Sequence, residues 1–255
     1  MLDKKMANLL CAAIISAGIF GAGYSIGKNL FLARILNRTV TVKGLAEQDV
    51  TSDLGIWEIN YREVGNDLAQ LNQRMLHDQE VVTAFLKAQG FAENEISRSL
   101  LKLEDRLANI YQQTSPQNSN ESRYVVTGGM RVRSDKVVLI AKSTQLTDKL
   151  LQQGIQLAFD ASSLSPNPSF YFTQLDSVRA AMLAQATKSA RIVAEQFAKD
   201  SESRLAGIQR ANQGQFQIMS RDTSTASADW SSNENAMGSI DKKVRLVTTI
   251  DYRLK

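Results

Sequence analysis

The chain has 255 residues, enough for one large domain or two small ones with a real core. Hydrophobic residues make up 43% and charged residues 22%, an ordinary globular balance that excludes global disorder. The formal charge of +4 lies in the first 38 residues, where Lys4, Lys5, Lys28, Arg34 and Arg38 face only Asp3; the rest holds 25 residues of each sign, so no net basic charge there asks for a nucleic acid.

Met6 to Gly27 is a run of 22 residues without a charge. A spanning helix needs about 20. A secretory signal has a shorter apolar region and a cleaner cleavage site than "GAG" at 21–23. Leu10 stands before Cys11 where a lipoprotein signal wants a small residue. The reading is an uncleaved N-terminal transmembrane anchor over residues 6–27, with flanks making up 1–38. The alternative is a signal that is cleaved to release a periplasmic protein. Gly23 and Gly27 are spaced for close helix contact in lipid, or are simply scattered glycines. Charges on the two sides nearly balance and do not orient the anchor. A single anchor ahead of a large domain favours export of that domain. Cys11 is the sole cysteine, so the region beyond it has no disulfide, thiol nucleophile or cysteine-ligated zinc.

The soluble part, 39–255, opens with an alternating strand from Thr39 to Lys43. Gly44 and a turn carrying Glu47, Asp49 and Asp53 follow, then a second strand from Leu54 to Tyr61. Asn66 is placed to cap a helix to about Gln89, with Gly90 closing it. Leu68, Leu71, Met75, Val82, Phe85 and Leu86 form its apolar stripe, and Asp78 falls within that stripe against the pattern. Residues 95–113 read mostly as strand, and "TSPQNSNES" (114–122) as loop. Residues 122–134 are a strand, with Gly128-Gly129 suggesting a bulge. Ser134 is placed to cap a helix from Asp135 to Gln153, closed by Gly154, although "VVLIA" at 137–141 equally suits a strand.

"IQLAFD" (155–160) and "SFYFTQ" (169–174) read as strands. Thr173 and Asp176 resemble a capping box at the start of a long helix, Leu175 to about Ser201. Its stripe is Leu175, Val178, Met182, Ala186, Val193 and Phe197, expected to lie on a sheet. A second, alanine-rich face leaves an oligomer contact open. "LAGIQRA" (205–211) and "FQIMS" (216–220) are strands, and 220–239 is a long polar loop. The last strand, 243–254, alternates well, with Val244, Leu246, Thr248, Ile250, Tyr252 and Leu254 on one face. Strands joined in short pairs favour antiparallel pairing. The expectation is an α+β fold, an antiparallel-rich sheet with about three helices packed on it. Two lobes, 39–153 and 154–255, are an alternative arrangement that no clear linker marks.

Chemistry is sparse. His77 is the only histidine and lies off the apolar stripe, so a two-histidine metal site is excluded and a Ser-His-Asp triad finds no G-x-S-x-G elbow. No common phosphate loop occurs. Glu104 and Asp105 are neighbours in a strand and point to opposite faces. Around Glu47, Asp49 and Asp53 the third ligand position of a calcium loop is Thr51, and the sharp-turn glycine is missing. No catalytic, cofactor-binding or metal residue is assigned. Trp57 belongs to the core if its strand faces inward. Trp230, alone in the polar loop, is a candidate for partner or membrane-surface contact.

The stretch "VTVKGLAEQDVTSDLGIWEI" resembles the opening signature of the SIMPL-domain family of bacteria: an alternating strand, a glycine, a short acidic turn, an aspartate and a second strand. Gly44, Glu47, Asp53 and Trp57 carry the match, with Ala46 in the turn. Further along, "RYVVTGGMRVRS", "LLQQGIQL", "AEQFAKDSESRLAGIQRANQGQFQI" and "KKVRLVTTIDYRL" look like its envelope-anchored branch. The resemblance implies an extracytoplasmic, usually periplasmic protein, similar to periplasmic immunogenic proteins and to an oxidative-stress defence protein. Some relatives form ring- or channel-like homo-oligomers, and the family has no established catalytic residues to carry over. The function expected is therefore non-enzymatic: an inner-membrane, single-pass envelope protein acting by homo-oligomeric assembly or partner binding in stress tolerance, without cofactor or nucleic acid. The alternatives are a small-ligand or peptide-binding module, and a hydrolase with a carboxylate-based site between subunits.

Overall fold

The computed structural model describes residues 14–28, 38–108, 122–158, 167–222 and 236–255. Two compact units form, each discontinuous in sequence. One gathers residues 1–46, 180–216 and 246–255; the other gathers 47–179 and 217–245. They are called the terminal unit and the central unit below.

Helix α1 covers residues 14–28. The expected anchor over residues 6–27 overlaps this helix, and residues 6–13 lie outside the described residues. Among the described residues, no helix is long and apolar enough to cross a membrane.

The fold is α+β, as expected, but its strands form two sheets rather than one. The first sheet has three strands in the order β1 (Thr39–Thr51), β8 (Asp241–Leu254), β7 (Leu205–Ser220). Arg204 and Lys255 exchange both backbone hydrogen bonds at 2.8 Å, the mark of an antiparallel pair. Two expectations are corrected here. Strand β1 runs unbroken through Gly44, Glu47 and Asp49, and the turn is only Ser52-Asp53. Strand β7 is one strand of 16 residues, not two short ones.

In the central unit, β2 (Leu54–Gly65) and β5 (Tyr124–Ser134) make a long antiparallel pair. Strand β6 (Ser169–Tyr171) borders β2, while β3 (Ile96–Arg98) and β4 (Lys102–Asp105) border β5. Residues 95–113 therefore hold two short strands rather than one, with 109–113 outside the described residues. The β2–β5 register passes through the glycine pair without a break, with Tyr61 opposite Gly128 and Asn60 opposite Gly129. There is no bulge. The glycines leave room for facing side chains: a Cβ on Gly128 would lie 2.5 Å from Met75 Cε.

Helix α2 (Leu68–Ala88) packs on β2 and β5 through Leu71, Met75, Val82, Phe85 and Leu86. Asp67, not Asn66, caps it, accepting hydrogen bonds from the amides of Ala69 and Gln70. Asn66 instead accepts from the Arg123 amide at 2.8 Å, and Leu68 is exposed. Gly90 adopts φ +99°, the left-handed geometry that ends a helix. The expected helix over 135–153 is two, α3 (Val137–Thr144) and α4 (Asp148–Gln152), closed by Gly154 at φ +88°. After it, "IQLAFD" makes only a single bridge, Tyr61 to Leu157, and residues 159–160 lie outside the described residues.

Helix α5 (Leu175–Asp200) has the expected ends and buries Met182 and Ala186 as expected, but its buried face continues along Ala190, Ala194 and Ala198. Val193 and Phe197 are exposed. In the terminal unit this alanine face meets the backbone of β1. A Cβ on Gly44 would collide with the Ala186 carbonyl and lie 2.8 Å from Ala190 Cβ. Val42, Ile250 and Tyr252 complete that core.

Candidate functional site

Each residue of the opening signature has a structural task, and the tasks differ. Gly44 admits the helix, as above. Glu47 is half-buried, with its carboxylate 3.7 Å from Arg245 Nε and 3.9 Å from Lys243 Nζ. These are charge contacts too long for hydrogen bonds. Asp53 accepts from the Thr173 amide at 2.7 Å and from the Thr173 hydroxyl at 2.9 Å. It thereby ties the β1–β2 turn to the chain entering α5. Trp57 is buried in the central core, opposite Val132. Asp49 is exposed on β1. The three carboxylates thus have separate surroundings, and among the described residues no group of three or more histidine, cysteine, aspartate and glutamate side chains is placed to hold a metal. Trp230 lies outside the described residues.

The remaining carboxylates of the central unit mostly have cationic partners. Glu58 pairs with Arg131 at 2.6 Å, and Asp105 with Arg123 at 2.8 Å. The Arg123 guanidinium holds the Asp105 carboxyl below its ordinary value, through its hydrogen bonds first. Glu95 accepts from the Ser134 hydroxyl at 2.6 Å and pairs with Lys136; the Ser134 bond is the main reason its carboxyl stays low. Ser134 thus binds Glu95 and the Lys136 amide, but it is not the cap expected of it: α3 begins after Lys136, with no side-chain cap.

Lys242 and Glu63 are buried charged groups that escape sequence reasoning, and Asp78 is a third whose position the sequence had marked. Lys242 is buried at the start of β8, where its ammonium donates to the carbonyls of Ala236 and Ser239. Burial pushes it down to about 8. Its phase was a signal, since it alternates inward with Val244 and Leu246. Asp78, which the sequence places in the α2 stripe against the pattern, is buried with that stripe.

A cleft of about 120 Å³ lies in the central unit between β2 and the α3–α4 connection, lined by Trp57, Ile59, Thr144, Thr147, Leu157 and Asn167 among others. Three of its polar side chains, Asn167, Thr144 and Thr147, are committed to the fold. Asn167 accepts from the Glu58 amide and donates to the Glu58 carbonyl, continuing the edge of β6 with a side chain. The Thr144 and Thr147 hydroxyls donate to carbonyls three residues back. The cleft therefore offers few free polar groups for orienting a substrate.

The terminal unit is open where the central unit is filled. Strand β7 ends its sheet. From Leu205 to Ser220 it has no proline and one charge, Arg210, and most of its side chains are exposed. Ile208 on β7 and Ile192, Val193 and Phe197 on α5 are exposed apolar residues of this unit.

The class defined by this architecture is an α+β protein of two antiparallel-type sheets, with one core built on a glycine-to-alanine contact and the other on large side chains. The SIMPL family model, described as a protein of unknown function, matches residues 40–249. The chain belongs to the SIMPL family. No curated protein matches it.

Proposed function

We propose that the protein is a non-enzymatic envelope component, held in the inner membrane by residues 6–27, whose region 39–255 lies in the periplasm and works by association with copies of itself or a partner. The observation that carries this reading is the terminal unit's open edge. Natural edge strands are usually blunted by charge, proline or a bulge, and an unprotected one pairs with another chain. On β7 only Arg210 is charged, and Asn and Gln side chains along it suit pairing between identical strands. The apolar Ile192, Val193 and Phe197 on α5 add surface of the kind that association buries. The carboxylate-based hydrolase fares less well, because Asp53, Glu58, Glu63, Glu95 and Asp105 already serve the fold.

Light scattering on the full-length protein in detergent tests the proposal. The expected result is a defined assembly of several copies, reduced to smaller species by Phe197→Glu combined with Ile208→Lys, two exposed positions where folding tolerates charge. A strict monomer at working concentration, without a captured partner, overturns it. Protease treatment of spheroplasts tests location: region 39–255 should be cut from outside, and protection overturns the placement. A role in stress tolerance predicts that cells lacking the protein survive peroxide less well.

A further inference from the structure

We propose that Asp78 is a proton-operated latch that docks α2 on the central sheet when protonated and loosens it when ionised. The latch rests on geometry. Asp78 sits one turn beyond Met75 and one turn before Val82, in the row that packs on β2 and β5. Only 6% of it is exposed. Its Oδ2 is buried and has no hydrogen-bond partner among the described residues. An unpartnered carboxylate oxygen in an apolar core is costly when ionised and far less so as a neutral acid.

The surrounding charges leave the cost unrelieved. From β2, Glu63 faces α2 and is itself buried. Arg74, on α2, is engaged elsewhere: its Nε lies 3.2 Å from Glu63, and its Nη2 donates to the Val64 carbonyl at 3.0 Å. Tyr61, also from β2, is held in its neutral form chiefly by burial, with Arg98 of β3 and Asp78 acting on it in opposite senses. The β5 residues sharing this face, Val126, Gly128 and Met130, carry no charge. His77, next to Asp78 on α2, acts in the opposite sense to Glu63. Burial first and the Glu63 charge second raise the Asp78 carboxyl above its ordinary value, while His77 and Arg74 only partly oppose this. Two acids thus share one arginine, and Asp78 is the one without it.

The sign follows. The folded state binds the proton more tightly than the unfolded state, so the stabilisation is fully present below the ordinary aspartate range. It is lost as pH rises through the raised folded value. Each unit of that rise corresponds to a tenfold change in the opening equilibrium. The central unit therefore holds α2 more firmly in an acidified surrounding than in a neutral one.

Hydrogen exchange across α2 in the full-length protein, at pH 3.5, below the ordinary aspartate value, and at pH 8, corrected for intrinsic rates, reads this directly. The native protein should show a several-fold larger opening of α2 at pH 8, measured against α5 in the same molecule. Asp78→Asn should remove that difference and protect α2 at both values. Infrared spectra should show a protonated carboxyl band that persists above the ordinary aspartate range and that Asp78→Asn lacks. Glu63→Gln keeps the proposal testable if Asp78→Asn fails to fold: by removing the like charge and releasing Arg74, it should move the midpoint to lower pH. An unchanged pH dependence in Asp78→Asn, or an unmoved midpoint in Glu63→Gln, overturns the latch.

Discussion

The two units solve the packing problem in opposite ways. The central unit fills its core with large side chains: Trp57, Tyr61, Leu71, Leu86, Met130, Ile140 and Phe170 are all buried there. The terminal unit has little volume to fill, because Gly44 and the row Ala186, Ala190, Ala194 and Ala198 bring helix and strand backbones close together. Interiors are close-packed in either case. The first arrangement is therefore sensitive to what is removed, and the second to what is added. A core of large residues also has room for an anomaly such as Asp78, whereas a backbone-to-backbone contact has none.

Mutations of opposite kind should expose this contrast. Leu86→Ala in the fully buried α2 row removes volume that the central core cannot refill. It should cost about 2–5 kcal/mol in urea unfolding. A loss well below that range would mean that the central core collapses around the gap. Gly44→Val adds volume where its Cβ meets the Ala186 carbonyl. It should cost about 1–3 kcal/mol by overpacking, with the largest rise in hydrogen exchange along α5 and β1. A neutral outcome would show that the helix can move away, and the contrast between the cores would fail. The smallest effect belongs to Asp53→Asn, which leaves an acceptor but removes the charge from the bonds to Thr173. A loss of about 1 kcal/mol is expected, without any change in the particle mass that light scattering measures. Dissociation in that variant would make Asp53 part of an interface rather than a tie within the central unit.

The sequence was most legible where a single period ran uninterrupted. The β8 alternation from Val244 to Tyr252 matches its burial residue by residue. The α2 stripe and the stops at Gly90 and Gly154 were also readable, because apolar period and positive φ are local properties. The α5 face was legible only at Met182 and Ala186. Reading the largest apolar residues as the inward ones selects Val193 and Phe197, but the contact demands the smallest ones, since the opposing residue is a glycine far away in sequence. The acidic stretch after Gly44 looked like a turn because three carboxylates suit a loop. In the fold, β1 continues through it, with Lys243 and Arg245 of β8 near Glu47. The split of 135–153 into α3 and α4 likewise had no glycine or proline to announce it.

By itself, the sequence determined the α+β class, most strand and helix positions and the family, since all of these follow from local period, capping residues and an ordered set of short motifs. Only the tertiary structure decided that the strands form two sheets, that alanines rather than Val193 and Phe197 face inward, and that the Asp78 Oδ2 is buried without a hydrogen-bond partner among the described residues while Glu63 holds Arg74. These outcomes depend on which distant residues meet. The free energy of burying a side chain is a property of that meeting, and no local pattern contains it.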